Sequence, residues 1–208
     1  MNKFQRFIVS CFNVLYPCKV HGRENIPEGG VILACNHFRA IDCGFVADVS
    51  YKDTFFLAKK ELFKNKFLAG LIKWFGGIPV DREKPDLKML MSTLKLLKDG
   101  KRLVIFPEGT RNKSGTNELQ ELKDGTAFFF FFAKCPIVPM MISGKAKIFR
   151  KTHIIVGKPF DFSEYYGKKL TAEDEKAMND VLREKMVSEQ NLLNEILTKK
   201  KNKKSKNR

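Results

Sequence analysis

The chain has 208 residues, 43% hydrophobic and 30% charged, which is the size and balance of one globular domain with its own core. Its five cysteines, Cys11, Cys18, Cys35, Cys43 and Cys135, are odd in number and include no C-x-x-C pair, so a disulfide framework is excluded in favour of reduced thiols in a cytosolic setting. A formal charge of +16 points to anionic partners, namely phosphorylated metabolites, an anionic membrane face or nucleic acid, while no run reaches the roughly 20 apolar residues of a spanning helix.

Residues 1–17 read as a short amphipathic helix limited by Pro17, with no small-residue cleavage site after it. Val31 to Cys35 is a continuous apolar run between Gly29-Gly30 and Asn36, and reads as a buried strand. Thr54 to Ala58 is a second strand. Phe63, Phe67, Leu71 and Phe75 recur every four residues among Lys64, Lys66 and Lys73, the pattern of a basic amphipathic helix ending at Gly76-Gly77. Ile78 to Val80 reads as a strand, Leu87 to Lys98 as a helix stopped by Gly100, and Leu103 to Phe106 as a strand cut by Pro107. The run Thr126 to Lys134 is an apolar helix. Five adjacent Phe, Phe128 to Phe132, cover all sides of it, so a core role is favoured over lipid contact. Ile137 to Ile142 and His153 to Val156 are strands, and Thr171 to Lys199 is one long helix or two, capped by Thr171.

Strands alternating with helices predict an α/β fold, a largely parallel mixed sheet flanked by helices. Ligands of such sheets bind beyond the carboxyl ends of strands, and three polar clusters follow strands here. The first is Asn36-His37-Phe38-Arg39-Ala40-Ile41-Asp42. On one helix, residues five apart diverge by about 140°, so His37 and Asp42 meet only if His37 sits on a turn and Asp42 opens the next helix. A neutral imidazole could then take a hydroxyl proton while the carboxylate holds its other nitrogen; the plainer alternative makes Asp42 a helix cap. The second cluster is Gly76-Gly77-Ile78-Pro79-Val80-Asp81-Arg82, where Arg82 suits a phosphate. The third is Phe106-Pro107-Glu108-Gly109-Thr110-Arg111, in which Thr110 and Arg111 are anion ligands and Glu108 orders a hydroxyl or Arg111 itself. A helix stop and a charged turn are the plainer readings of these two.

In order and in kind, the clusters resemble the bacterial 1-acyl-glycerol-3-phosphate acyltransferases of the glycerolipid acyltransferase superfamily. The family's H-x4-D block looks like His37 to Asp42, its G-x-I-P-V-D-R block like Gly77 to Arg82, and its F-P-E-G-T-R block like Phe106 to Arg111. Ile137-Val138-Pro139 is similar to the fourth block, and Lys123-Asp124-Gly125 to the lead-in before the Phe run. The likeness extends from about Gly22 to Gly157. Ala40 and Asn112 stand where the family often has Ser.

The resemblance implies a glycerolipid-acyltransferase-like fold and acyl transfer from a thioester to the 2-hydroxyl of a lysophosphatidate. His37 would be the general base and Asp42 its orienter. Arg82, Glu108, Gly109, Thr110 and Arg111 would form the acceptor's phosphate pocket. No cofactor or metal is expected. The donor is acyl-CoA or acyl carrier protein, both anionic thioesters. The expected organisation is a membrane-contacting segment over residues 1–20, an acyltransferase domain over 21–198 and a basic disordered tail over 199–208, with the protein peripheral or monotopic on the cytoplasmic face of the cell membrane. That tail holds six Lys and one Arg without an acid, leaving +9 for the rest. Rival readings are another acceptor such as glycerol 3-phosphate or a lyso-aminolipid, attack by Cys35 or Cys43, a basic nucleic-acid-binding module, and an inactive membrane-surface protein. Nucleic acid is not expected, because the basic residues are not interleaved with aromatics in a binding motif.

Overall fold

The computed structural model describes residues 10–50, 53–81, 87–114, 116–123 and 125–206. In chain order the elements are helix α1 (residues 10–15), β1 (Cys18–His21), β2 (Val31–Cys35), α2 (Asp42–Ser50), β3 (Thr54–Lys59), α3 (Lys66–Trp74), β4 (Gly77–Val80), α4 (Leu87–Lys98), β5 (Arg102–Ile105), α5 (Thr126–Ala133), β6 (Ile137–Ile142), β7 (Thr152–Val156) and α6 (Ala172–Lys206). Seven strands form one sheet in the order β1-β7-β6-β2-β5-β3-β4. Strands β6, β2, β5, β3 and β4 are mutually parallel; β7 runs antiparallel to β6, and β1 pairs parallel with β7. The expected largely parallel mixed sheet is therefore present.

The central strand β2 shows why the sheet forms. All five of its residues are fully buried, as a strand covered on both faces requires. Its side chains alternate: Ile32 and Ala34 join a core with α4, α5 and α6, whereas Val31, Leu33 and Cys35 join one with α2. Met178, Leu182, Met186 and Leu193 recur at helical spacing along α6 and are all buried on the first face. Phe129, Phe130 and Phe131 are buried in that same core, while Phe128 and Phe132 emerge. On the second face Phe12 of α1 packs edge-on against Phe45, centroids 5.1 Å apart, and Asn13 Nδ2 donates to Asp48 Oδ1 at 3.1 Å.

Three elements differ from expectation. Strand β1 is short, half-exposed and lies at the sheet edge, so it lacks the apolar run that marks the interior strands. The basic amphipathic segment is divided: a 3-10 turn at Lys60–Phe63 precedes α3, whose N-cap Asn65 accepts from Leu68 N–H. The stretch from Lys199, read as a disordered tail, is helical as far as Lys206. Lysine is a good helix former, and cations complement the C-terminal end of the helix dipole. At its start α6 has a capping box, with Thr171 Oγ1 accepting from Asp174 N–H and Asp174 Oδ2 accepting from Thr171 N–H. The first nine residues of the expected N-terminal helix lie outside the described residues.

Candidate active site

Since β2 ends at Cys35 and α2 begins at Asp42, the six residues between turn at the carboxyl edge of the sheet. His37 lies on that turn and Asp42 opens α2, the arrangement that lets residues five apart meet. His37 Nδ1 is 3.0 Å from Asp42 Oδ2. The same oxygen accepts N–H bonds from Phe38 at 2.6 Å and Arg39 at 2.7 Å. Asp42 thus opens α2 while its carboxylate holds the imidazole and the N–H groups of the turn before the helix, whereas the helix N–H groups of Gly44 and Phe45 donate to the Ile41 carbonyl. A carboxylate partner requires the Nδ1–H tautomer and leaves Nε2 as the basic nitrogen. The side chain of Asp42 is wholly buried and that of His37 is 14% exposed.

The turn is fastened to its neighbours on both sides. Asn36 Nδ2 donates to the Ile142 carbonyl at 3.1 Å and its Oδ1 accepts from Ile142 N–H at 2.7 Å, which locks the turn to the end of β6. Toward β5, Glu108 Oε1 accepts from His37 N–H at 2.8 Å and Oε2 from Gln120 N–H at 3.2 Å. Asn112 N–H donates to the His37 carbonyl at 2.7 Å. Burial pushes the Glu108 carboxyl above its ordinary range, against the pull of its two N–H donors. Both carboxylate oxygens of Glu108 thus accept from the backbone, a bracing contact that takes one acceptor position on each oxygen. Gly109 follows at φ 65°, a left-handed conformation that glycine adopts freely, and carries the chain to Thr110 and Arg111, both exposed. Arg82 lies outside the described residues.

Phe106 was legible as the end of a strand and the head of the third cluster, with no role of its own. In the structure its ring stacks on His37, with centroids 4.0 Å apart and planes 21° apart. It also lines a cavity of about 590 Å³ with Leu57, Val80, Leu90 and Phe129, an apolar space of the size that holds a small ligand. Asn112, which departs from the family pattern, is 2% exposed; its Nδ2 donates to the Glu118 carbonyl, and its Oδ1 accepts from the N–H and hydroxyl of Ser114. A side-chain amide there folds the loop that a hydroxyl could brace at fewer points.

The thiol alternative meets an electrostatic obstacle. Burial raises the Cys35 thiol well above its usual range and pushes that of Cys43 up to about 12, with Asp42 adding to both. Neither is a thiolate near neutral pH, as a cysteine nucleophile must be. His21 and His153 are neighbours on β1 and β7, with His21 Nε2 3.1 Å from His153 Nδ1. Among the described residues no group of three or more His, Cys, Asp or Glu is placed to hold a metal.

The model of the Acyltransferase family matches residues 17–143, which includes every element of this site. The chain belongs to the acyltransferase family. It is 34% identical over 177 residues to the 1-acyl-sn-glycerol-3-phosphate acyltransferase of Bacillus subtilis, covering 80% of this chain and 86% of that one. It is 31% identical over 153 residues to the enzyme of that name from Streptococcus pneumoniae, covering 69% of this chain and 56% of the relative. The crystal structure of the 1-acyl-sn-glycerophosphate (LPA) acyltransferase PlsC from Thermotoga maritima superposes with a TM-score of 0.64 over 89% of this chain and 76% of that one. At 21% identity that likeness shows a shared fold.

Proposed function

We propose that this acyltransferase transfers an acyl chain from an acyl thioester to the 2-hydroxyl of 1-acyl-glycerol 3-phosphate, giving phosphatidate. The observation that carries the chemistry is the 3.0 Å contact between His37 Nδ1 and the buried Asp42. The names of the relatives support the acceptor. His37 Nε2 takes the proton of the 2-hydroxyl as its oxygen attacks the thioester carbonyl. The tetrahedral intermediate then collapses with cleavage of the carbon–sulfur bond, and the imidazolium returns the proton to the departing thiolate. The products are the ester and a free thiol, and no enzyme-bound acyl group forms. Asp42 orients the ring and stabilises the imidazolium. General-base assistance of this kind is worth about 10²–10⁴-fold.

Arg111, with Arg82, Gly109 and Thr110, binds the acceptor's phosphate, and Glu108 holds their turn against His37. The cavity behind Phe106 takes an acyl chain. The donor is acyl-CoA or acyl carrier protein. With β1 in the sheet, the catalytic domain runs from Cys18 to about residue 198, and the segment before it contacts the membrane. No helix among the described residues is long and apolar enough to cross a membrane, and peripheral attachment to the cytoplasmic face suits a lipid acceptor.

Purified wild type and His37→Ala, given lysophosphatidate and an acyl thioester, test the reading through thiol release and phosphatidate formation. Wild type is expected to form phosphatidate, and the folded variant to be at least about a hundredfold slower. Thiol release by wild type only with another acceptor refutes the substrate assignment. Full activity in His37→Ala refutes the base and turns attention to Cys35 and Cys43.

A further inference from the structure

The loop between β6 and β7, residues 143–151, takes no part in the chemistry above. It contains the run Lys145-Ala146-Lys147-Ile148-Phe149-Arg150-Lys151. Ile148 is 55% exposed and Phe149 72%. Phe149 has φ 57°, a conformation bulky residues rarely adopt, and its N–H donates to the Leu15 carbonyl at 2.7 Å. Through that bond the loop tip is continuous with Val14 and Leu15 of α1, which are also exposed. Lys145, Lys147, Arg150 and Lys151 flank the apolar tip and line one cleft of about 400 Å³. None of the four has an ion-pair partner among the described residues, and the sequence has no acid between Asp124 and Asp161.

The place of this loop in the sheet gives it a purpose. It leaves β6 at the carboxyl edge, one residue after the Ile142 peptide groups that Asn36 holds beside His37. Strand β2 sits between β6 and β5, and β3 is the next strand beyond β5. From the same edge β3 leads to Leu62, Phe67 and Leu68, all exposed among Lys64 and Lys66. At about 4.8 Å per strand, exposed apolar groups and cations thus leave the sheet about 5 Å to one side of the strand that carries His37, at β6, and about 10 Å to the other, at β3. A soluble protein gains nothing from apolar side chains held out in water beside four cations. An anionic bilayer satisfies both at once, with rings in the acyl boundary and cations at the headgroup phosphates.

We propose that loop 143–151, together with Val14 and Leu15, docks the enzyme on an anionic lipid bilayer and so turns the His37 edge of the sheet toward the membrane. The acylation of a lipid gives this docking its use, but vesicle binding is measured without turnover and fails or succeeds independently of it. Full-length Lys147→Gln/Arg150→Gln and Phe149→Asn are compared with wild type by sedimentation with phosphatidylcholine vesicles, with and without phosphatidylglycerol. Asparagine is chosen because it tolerates the left-handed conformation. Each cation near an anionic surface is worth about fivefold, so the double variant is expected to lose about 25-fold in affinity for anionic vesicles and nothing on neutral ones. Phe149→Asn is expected to lose about tenfold on both. Both variants are expected to turn over a short-chain, monomeric acceptor at the wild-type rate. Unchanged vesicle affinity in the folded variants overturns the proposal. So does slower turnover of soluble substrates with vesicle binding intact, which would give the loop to an anionic donor protein.

Discussion

Asp42→Asn separates the charge of the dyad from its geometry. The amide oxygen can occupy the position of Oδ2 and still accept from His37 Nδ1–H and from the N–H groups of Phe38 and Arg39. Its NH2 then falls where Oδ1 lies, a buried position with no hydrogen-bond partner among the described residues. The tautomer is preserved, at a cost of about 1–3 kcal/mol for the unsatisfied amide. What disappears is the attraction between carboxylate and imidazolium. At 3.0 Å and an effective dielectric constant of about 20 that attraction is about 5 kcal/mol. A transition state that realises half of it loses about a hundredfold in rate when the charge is removed. Initial rates with saturating donor, set beside a thermal melt of the same preparation, measure both effects. A folded Asp42→Asn enzyme that keeps most of the wild-type rate refutes the reasoning, because the carboxylate would then only brace the turn through the Phe38 and Arg39 N–H groups.

Two further predictions concern stability. A Cβ on Gly30 would lie 1.9 Å from the Leu97 carbonyl oxygen, so Gly30→Ala must displace the end of α4; a loss of about 3 kcal/mol is expected, against about 1 kcal/mol for Gly29→Ala, whose Cβ meets nothing despite its φ of 87°. Urea unfolding of the two variants checks this, and equal losses would contradict it. Burial lowers the His153 pKa from 6.5 to about 4, with Lys200, His21, Lys19 and Lys151 adding to the shift. The unfolded chain binds a proton there that the folded chain refuses, so stability falls as pH drops through that window. Melting temperatures between pH 7 and pH 4 should fall less steeply in His153→Gln than in wild type, and parallel curves would contradict the assignment.

The parts of the fold that were legible in sequence are those in which one local pattern decides the outcome. The continuous apolar runs at Val31 to Cys35 and Ile137 to Ile142 became strands with those limits, because a strand buried on both faces leaves no room for a polar residue. Leu87 to Lys98 was similarly bounded by its own signals. Strand β1 was missed because it is held by register with β7, a pairing of residues more than 130 positions apart. The same pairing brings His21 to His153, which nothing in either local sequence foretells. The helix beyond Lys199 was misread because a run of cations looks alike in a solvated tail and on the last turns of a helix.

The site divides along the same line. Residue type and the loop after a strand made His37 and Asp42 candidates, the resemblance of the ordered blocks set them above a plain turn, and the two do meet as a local unit at 3.0 Å. The fastening of that unit is not local. Glu108 reaches the His37 N–H from β5, Asn112 reaches the His37 carbonyl, and Asn36 reaches Ile142 at the end of β6. Each of these bonds joins a side chain or amide to backbone, so it depends on where strands end and leaves little trace in composition. The blocks that stand far apart in the chain are in this sense one object. The parallel sheet brings three strand ends side by side, and the hydrogen bonds between their loops fix the turn that carries the imidazole.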